Sequence, residues 1–266
     1  MRRLRTLFLA GLVALSGAGS ALAAGTEVVP PHESWQHGAV NRPFWQTGAA
    51  GFFGTFNRAE AQRGFQVYKE VCATCHSLNL VSYRNLEALG FSEAEVKAIA
   101  AQYEVTDGPN DEGEMFTRKA IPADRFKAPF PNEKAAAAAN GGKAPPDLSL
   151  MAKARAHGED YIFHLLTGYR EPPQGFQVPD GTYYNEYFPG HLIAMPSILN
   201  DGGVTYADGT NATAVQQARD VSVFLTWAAE PNLEARKRIG VMVLLFLTVL
   251  AAVLYAAKRA VWADQH

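Results

Sequence analysis

Apolar residues concentrate near both ends of the 266-residue chain, and the first run lies close to the N-terminus. It extends over residues 7–15, after Arg2, Arg3 and Arg5 and ahead of the small-residue segment 21–23. A helix needs ~20 apolar residues to cross ~30 Å of hydrocarbon, so this run is too short for a retained membrane anchor. A basic start, a short apolar core and a small-residue end instead predict a cleaved secretory signal peptide over residues 1–23.

The second apolar run, Ile239 to Ala257, has 19 residues without a charge. This length lets a helix cross a membrane, and we predict an anchor over residues 236–257. A buried core helix is the alternative, but basic residues flank both ends of the run. Because the signal peptide would export the preceding part, residues 24–235 are predicted to form a periplasmic domain and residues 258–266 a cytoplasmic tail at the inner membrane.

Helical spacing dominates the two ends of the predicted domain. Asn57 and Glu60 match a capping box, and apolar residues then recur at helical spacing at positions 61, 65, 68 and 72. A second helix is predicted from Thr213 to Glu230, with a capping box formed by Thr213 and Gln216 and an end at Pro231. Its apolar stripe comprises Val215, Ala218, Val221, Leu225 and Ala228.

The fold class that follows is all-α, because these two helices are expected to pack across each other. Pro and Gly are frequent in residues 106–146 and 171–210, which predicts long irregular loops there rather than a sheet. The chain should therefore combine a helical domain with one C-terminal transmembrane helix.

Acidic residues outnumber basic ones between the two terminal segments. Residues 24–230 hold 24 Asp or Glu and 16 Lys or Arg, a net charge of −8. Such a field attracts a basic partner and repels nucleic acid, and salt weakens both effects.

The chemistry of the chain centres on its two cysteines, Cys72 and Cys75, which His76 follows directly. The spacing Cys-x-x-Cys-His is the signature of covalent haem attachment, in which the thiols hold the haem and the imidazole binds its iron. In a thioredoxin-like redox pair a strand would precede the cysteines, but this sequence predicts a helix there. A structural zinc site normally takes four ligands, and a plain disulfide leaves His76 unexplained.

The ligand on the other face of the iron distinguishes electron transfer from small-molecule chemistry. Met195 is the first candidate, because Pro189, Gly190 and Pro196 predict a loop that can lie against a flat ring. His191, in the same loop, is the alternative. Met115 and Met151 are expected to be surface or packing residues. A Met/His pair raises the reduction potential.

Arg155 and Tyr161 could donate hydrogen bonds to the anionic haem propionates. Either residue could equally be an ordinary surface charge or a core aromatic.

The chain resembles the cytochrome c1 family, the haem subunits of ubiquinol to cytochrome c oxidoreductases, in a form typical of alphaproteobacteria. The resemblance covers most of the mature chain and is carried by the following segments: 72–77 (CATCHS), 144–149 (APPDLS), 158–161 (GEDY), 166–169 (LTGY), 171–173 (EPP), 187–196 (YFPGHLIAMP) and 227–231 (WAAEP).

The resemblance implies one covalent haem c with His76 and Met195 as axial ligands, and with Arg155 and Tyr161 beside a propionate. Pro146, in the second of these segments, is a further residue expected to contact the haem. A Rieske iron–sulfur protein would deliver electrons, a cytochrome c would remove them, and cytochrome b would complete a dimeric complex. The chain would then be an electron carrier with no bond-making chemistry of its own.

Three alternatives remain open at this stage: a cytochrome c subunit of a terminal oxidase, one of a membrane-bound dehydrogenase, and a haem enzyme or sensor with an open sixth site. Some bacterial relatives carry an additional disulfide, which this chain cannot form if both of its cysteines hold haem.

Overall fold

The computed structural model describes residues 54–264, so the predicted signal peptide lies outside the described residues. The α-helices are α1 (Arg58–Glu70), α2 (Glu93–Ala100), α3 (Glu133–Ala139), α4 (Met151–Ala154), α5 (Glu159–Thr167), α6 (Ala214–Ala229) and α7 (Leu233–Val261). Short 3-10 helices cover Cys72–Thr74, Tyr83–Leu89 and Pro189–His191. Four short strands are β1 (Glu104–Asp107), β2 (Phe116–Lys119), β3 (Tyr183–Tyr184) and β4 (Leu192–Ile193). The predicted all-α class is confirmed.

Helix α1 begins where the sequence predicts. The Asn57 side chain accepts hydrogen bonds from the backbone N–H groups of Ala59 and Glu60, at 3.1 and 3.4 Å. These bonds satisfy two of the donors that the first turn of a helix leaves without intrahelical partners. The predicted apolar positions of α1 are buried, and Cys72 follows in the next turn, 7% exposed.

Helices α1 and α6 pack across each other, as predicted. They cross at Gly64. A Cβ atom on Gly64 would lie 2.0 Å from the backbone oxygen of Asp220 and 2.7 Å from the Cβ of Phe224. Only glycine lets the two backbones approach this closely. Phe224 then packs against Phe65 and Tyr68, with ring centroids 5.7 and 5.6 Å away.

The start of α6 departs from the prediction in two respects. The Thr213 side chain accepts a hydrogen bond from the Gln216 backbone N–H at 3.1 Å, but the Gln216 side chain donates to Asp220 instead of closing a capping box. Val215 is 57% exposed, so the buried stripe begins one turn later, at Ala218. A residue in the first turn of a helix can point past the end of its partner, and the periodicity alone does not reveal this.

A buried ion pair also joins α1 to α6. The Arg63 guanidinium donates to both carboxylate oxygens of Asp220 at 2.9 Å, and the Asp220 side chain is fully buried. A third Arg63 bond reaches Asp208 in the loop that leads into α6. Removing one partner of such a pair leaves an uncompensated buried charge, so replacing either residue should destabilise the packing of the two helices.

The loop regions contain more regular structure than the sequence predicts. Strands β1 and β2 form an antiparallel hairpin in which Glu104 pairs with Lys119 and Asp107 with Phe116. Strands β3 and β4 form a second, smaller pair close to the predicted Met195 loop. Both pairs have only two strands, so irregular chain still connects most of the helices.

Helix α7 has 29 residues, and its most apolar window has a mean hydropathy of 2.7 with no residue buried inside the described chain. By length and composition it can cross a membrane, and among the described residues it is the one helix that can. The helix begins at Leu233, ahead of the predicted anchor. Its Glu234 carboxylate pairs with the Arg58 guanidinium, which ties the start of α7 to the start of α1.

Candidate functional site

The Cys72 to His76 segment forms a tight turn directly after α1. The backbone N–H groups of Cys75 and His76 both donate to the Cys72 carbonyl, at 3.1 and 2.9 Å. The Thr74 hydroxyl donates to the Val71 carbonyl at 2.7 Å. This turn holds two thiols and an imidazole within one short, rigid segment.

The two thiols are free, and the surroundings of Cys72 do not favour a thiolate. Burial, with a smaller contribution from Cys75, raises the pKa of the Cys72 thiol to about 12. Redox-active pairs of the thioredoxin type instead depend on a thiol with a lowered pKa. A helix, not a strand, precedes the motif, so the structure argues against the thioredoxin-like alternative.

The His76 imidazole is held in one orientation by a backbone carbonyl. Its Nδ1 atom lies 2.7 Å from the Pro146 oxygen. A carbonyl can only accept, so Nδ1 carries the proton and Nε2 presents a lone pair, the form in which imidazole binds a metal. Burial lowers the pKa of His76, against the opposing effects of Pro146 and Asp147, which favours the neutral ring.

The Pro146 carbonyl is in turn held by the residues that follow it. The Asp147 carboxylate accepts bonds from the Ser77 hydroxyl at 2.7 Å and from the Asn79 backbone N–H at 2.8 Å. Burial opposes ionisation of Asp147, but hydrogen bonds from Ser149, Asn79 and Ser77 outweigh it and lower its pKa. No role for Ser77, Asn79 or Asp147 was predicted from the sequence, although segments 72–77 and 144–149 contain two of them.

Met195 follows β4 and is half-buried. The Tyr169 hydroxyl donates to the Met195 carbonyl at 2.9 Å, which fixes the backbone of this methionine. The fully buried Asn185 secures the same loop, because its side chain donates to the Leu165 carbonyl and accepts from the Tyr187 backbone N–H. The Met195 loop is therefore attached to the end of α5.

Gly168 makes this attachment possible. A Cβ atom there would lie 2.5 Å from the Tyr187 ring and 2.7 Å from the His164 carbonyl. The sequence contained Gly168 and Tyr169 within a recognisable segment, but it gave no sign that they support Met195.

His191 lies in the same loop in a different setting. Its Nδ1 atom is 3.2 Å from the Asn185 carbonyl, and its ring stacks on Tyr184 with centroids 5.6 Å apart. These contacts give the His191 ring a packing role within the loop.

The remaining candidates occupy the region around α4 and α5. Tyr161 is 2% exposed within α5, whereas Arg155 is half-buried at the end of α4 and donates to the neighbouring Ala154 carbonyl. Met151 begins α4, and Met115 is 61% exposed, as expected of a surface methionine.

The donor set fits a covalently held haem. Two thiols at the required spacing, an oriented neutral imidazole and a thioether on an anchored loop are the groups that haem c takes. Helix α5 packs on α6, and α6 crosses α1, which leads into the Cys72 turn. Helix packing thus connects the Met195 loop to the turn with His76.

Comparisons with known proteins identify relatives of this chain. The model of the cytochrome C1 family matches residues 45–265. The chain is 48% identical to cytochrome c1 of Rhodospirillum rubrum, over 98% of this chain and 97% of that protein. It is 51% identical to the mitochondrial cytochrome c1-2 haem protein of Solanum tuberosum, over 91% and 94%.

A longer relative is the cytochrome b/c1 protein of Bradyrhizobium diazoefficiens, which is 51% identical over 82% of this chain. The matched region spans 35% of that protein's length. The family model matches most of the chain, and the chain is about 50% identical to relatives that it covers almost completely. The chain belongs to the cytochrome c1 family.

Proposed function

We propose that the chain is the electron-transfer subunit of a ubiquinol to cytochrome c oxidoreductase, working through one covalent haem c. The observation that carries the proposal is the Cys72 to His76 turn, in which the Pro146 carbonyl holds the His76 imidazole. Membership of the cytochrome c1 family supports the same function. An electron carrier needs a cofactor that the protein holds in a fixed position. The hydrogen bonds of this turn would hold the haem-binding side chains in place.

The residues would take four roles around the haem. Cys72 and Cys75 would form the thioether links, and His76 and Met195 would be the axial ligands. Arg155 and Tyr161 would donate to the propionates, and Pro146 would lie against the haem while holding His76. The bound haem supplies a single-electron couple between ferrous and ferric iron.

The protein contributes orientation and a closed environment. His76 Nδ1–H donates to a fixed carbonyl, and this bond would hold the ring in one orientation toward a haem iron. The Met195 backbone is fixed by Tyr169 in the same way. A soft thioether ligand from Met195 would favour ferrous iron and thus a relatively high potential.

The proposed setting is the periplasmic face of the inner membrane. The signal peptide would be residues 1–23, the haem domain residues 24–235, the anchor residues 236–257 and the cytoplasmic tail residues 258–266. The cytochrome domain would receive electrons from a Rieske protein and pass them to a cytochrome c, beside cytochrome b in a dimeric complex. Two relatives support such an assembly by their names: cytochrome b/c1 in Bradyrhizobium and the cytochrome b-c1 complex catalytic subunit in Candida albicans.

A reduced-minus-oxidised spectrum of the membrane complex purified through a tag on this chain tests the proposal. We expect a c-type band together with the bands of cytochrome b, and electron paramagnetic resonance of the reduced complex should show the signal of a Rieske cluster. A c-type band that purifies with an oxidase or a dehydrogenase would replace this function with one of the alternatives. Ready binding of carbon monoxide by the reduced c-type haem would contradict ligation by Met195.

A further inference from the structure

Residues 76–80 and residues 146–149 are joined by a set of hydrogen bonds that we call the proximal clasp. His76 donates to the Pro146 carbonyl, and the Leu148 backbone N–H donates to the Ser77 carbonyl at 2.9 Å. The Ser77 hydroxyl and the Asn79 N–H both reach the Asp147 carboxylate. The last bond runs from the Leu80 N–H to the Ser149 hydroxyl at 3.0 Å.

Asp147 is the residue at which these bonds converge. One carboxylate oxygen accepts from Ser77 and Asn79, and the other accepts from the Ser149 backbone N–H at 2.9 Å. The same side chain thus holds the segment that follows His76 and the turn that follows Pro146.

We propose that Asp147 is the positioning residue for His76: its carboxylate fixes the Pro146 carbonyl and so sets the orientation of the imidazole and the strength of its hydrogen bond. The inference rests on the proposed function, because the imidazole is oriented for a haem iron. Asp147 itself needs no contact with the haem.

Only a carboxylate at this position can accept all three bonds. An amide has a single acceptor oxygen and an NH₂ group that only donates, so asparagine would leave donors on one side of the clasp without a partner. Water can reach the exposed Asn79 N–H but has poor access to the Ser149 N–H, since Ser149 is fully buried and Leu148 is 8% exposed. Loss of the carboxylate therefore breaks the tie either to Ser149 or to Ser77 and Asn79, and the 146–149 turn is then free to move.

Movement of this turn would change the electronic character of His76. An acceptor at Nδ1–H makes the imidazole a more basic ligand, and hydrogen bonds of this outer kind fix ring orientation. A more basic ligand favours ferric iron. A weaker bond to Pro146 should therefore raise the reduction potential and rotate the ring relative to the haem.

The experiment compares Asp147→Asn with wild type in the intact membrane complex. We expect haem to remain attached, its midpoint potential to rise, and the low-field g value of the ferric haem, which reports axial-ligand orientation, to shift in the electron paramagnetic resonance spectrum. Asp201→Asn is the matched control, because Asp201 also accepts a backbone N–H, from Ala214 at 2.7 Å, but holds the start of α6. That control should leave the potential and the g value unchanged.

An Asp147→Asn complex with haem attached and with the potential and g value of wild type would overturn the proposal. If Asp147→Asn does not assemble, Ser77→Ala removes one bond of the clasp, and its potential and g value should move in the same direction by a smaller amount. No change in Ser77→Ala would also overturn the proposal. Failure of the proposed function looks different, since the wild-type chain would then lack attached haem or its haem would purify with an oxidase or a dehydrogenase.

Discussion

Glu159, at the start of α5, is a carboxylic acid inside the protein. Only 3% of it is exposed, and burial raises its pKa to about 7. The carboxylates of Asp160 and Glu60 add to the rise, whereas Thr226 and Arg219 oppose it. Replacing Glu159 with Gln removes this titration while nearly preserving the shape of the side chain.

The sign of the effect follows from proton linkage. The unfolded chain releases the Glu159 proton near its ordinary pKa of 4.5, but the folded chain retains it until about pH 7. Between these values the folded state binds more protons, so the stability of wild type falls as pH rises. With 1.36 kcal/mol per pKa unit, the full penalty above pH 7 is about 3 kcal/mol.

The assay is denaturant unfolding of the full chain in detergent, followed by the Soret circular dichroism of the haem at several pH values from 5 to 8. The free energy of unfolding of Glu159→Gln relative to wild type should rise by about 2.5 kcal/mol between pH 5 and pH 8, because part of the full penalty already applies at pH 5. Taking this difference across pH cancels any constant effect of the amide.

Glu95→Gln is the matched control. Glu95 is an exposed carboxylate whose pKa is lowered, first by the Ser92 hydroxyl, so its titration lies below this pH range in both states. Its difference from wild type should be flat from pH 5 to 8. A Glu159→Gln profile that is equally flat would refute the assignment of the raised pKa to Glu159.

Three other predictions test the ligand, the helix crossing and the surface charge. Met195→Leu should keep haem attached but lower its reduction potential sharply, because the thioether that favours ferrous iron is lost. Met115→Leu is the control, and equal reduction potentials for the two variants would show that Met195 is not a haem ligand. Gly64→Ala should lower the free energy of unfolding by about 1 to 3 kcal/mol, since the added Cβ would meet the α6 backbone. Gly240→Ala in α7 is the control and should not destabilise the protein, because a Cβ there meets nothing within 4 Å. Matching melting curves for wild type and Gly64→Ala would contradict the close crossing of α1 and α6. The rate of electron exchange with a basic cytochrome c should fall as salt increases, and a rate independent of salt would exclude steering by the acidic domain.

The helices around the Cys72 turn could be predicted because their signals are local. The Asn57 cap and the spacing of Ala61, Phe65 and Tyr68 lie within a few turns, so periodicity identifies both the helix and its buried face. The same logic placed α6 correctly between Thr213 and Pro231. It misplaced Val215, because whether a first-turn residue is covered depends on where the partner helix ends.

The clasp and the support of Met195 could not be predicted from the same kind of signal. His76 and Pro146 are 70 residues apart, and Tyr169 and Met195 are 26 apart, so each bond exists only after the chain has folded. The Arg63 and Asp220 pair is similar, since a charged residue in a helix is ordinarily expected on the surface. Recognisable segments contained several of these residues, but a segment does not show which partner each side chain reaches.

Covalent haem on the Cys72 to His76 turn is the central claim, and mass spectrometry of the mature protein tests it most directly. Trypsin cleavage after Lys69 and Arg84 releases residues 70–84, which contain both cysteines and His76. We predict that this peptide carries the added mass of one haem and that the whole chain gives a peroxidase-active band after denaturing electrophoresis. A peptide of unmodified mass from a colourless chain would contradict the account.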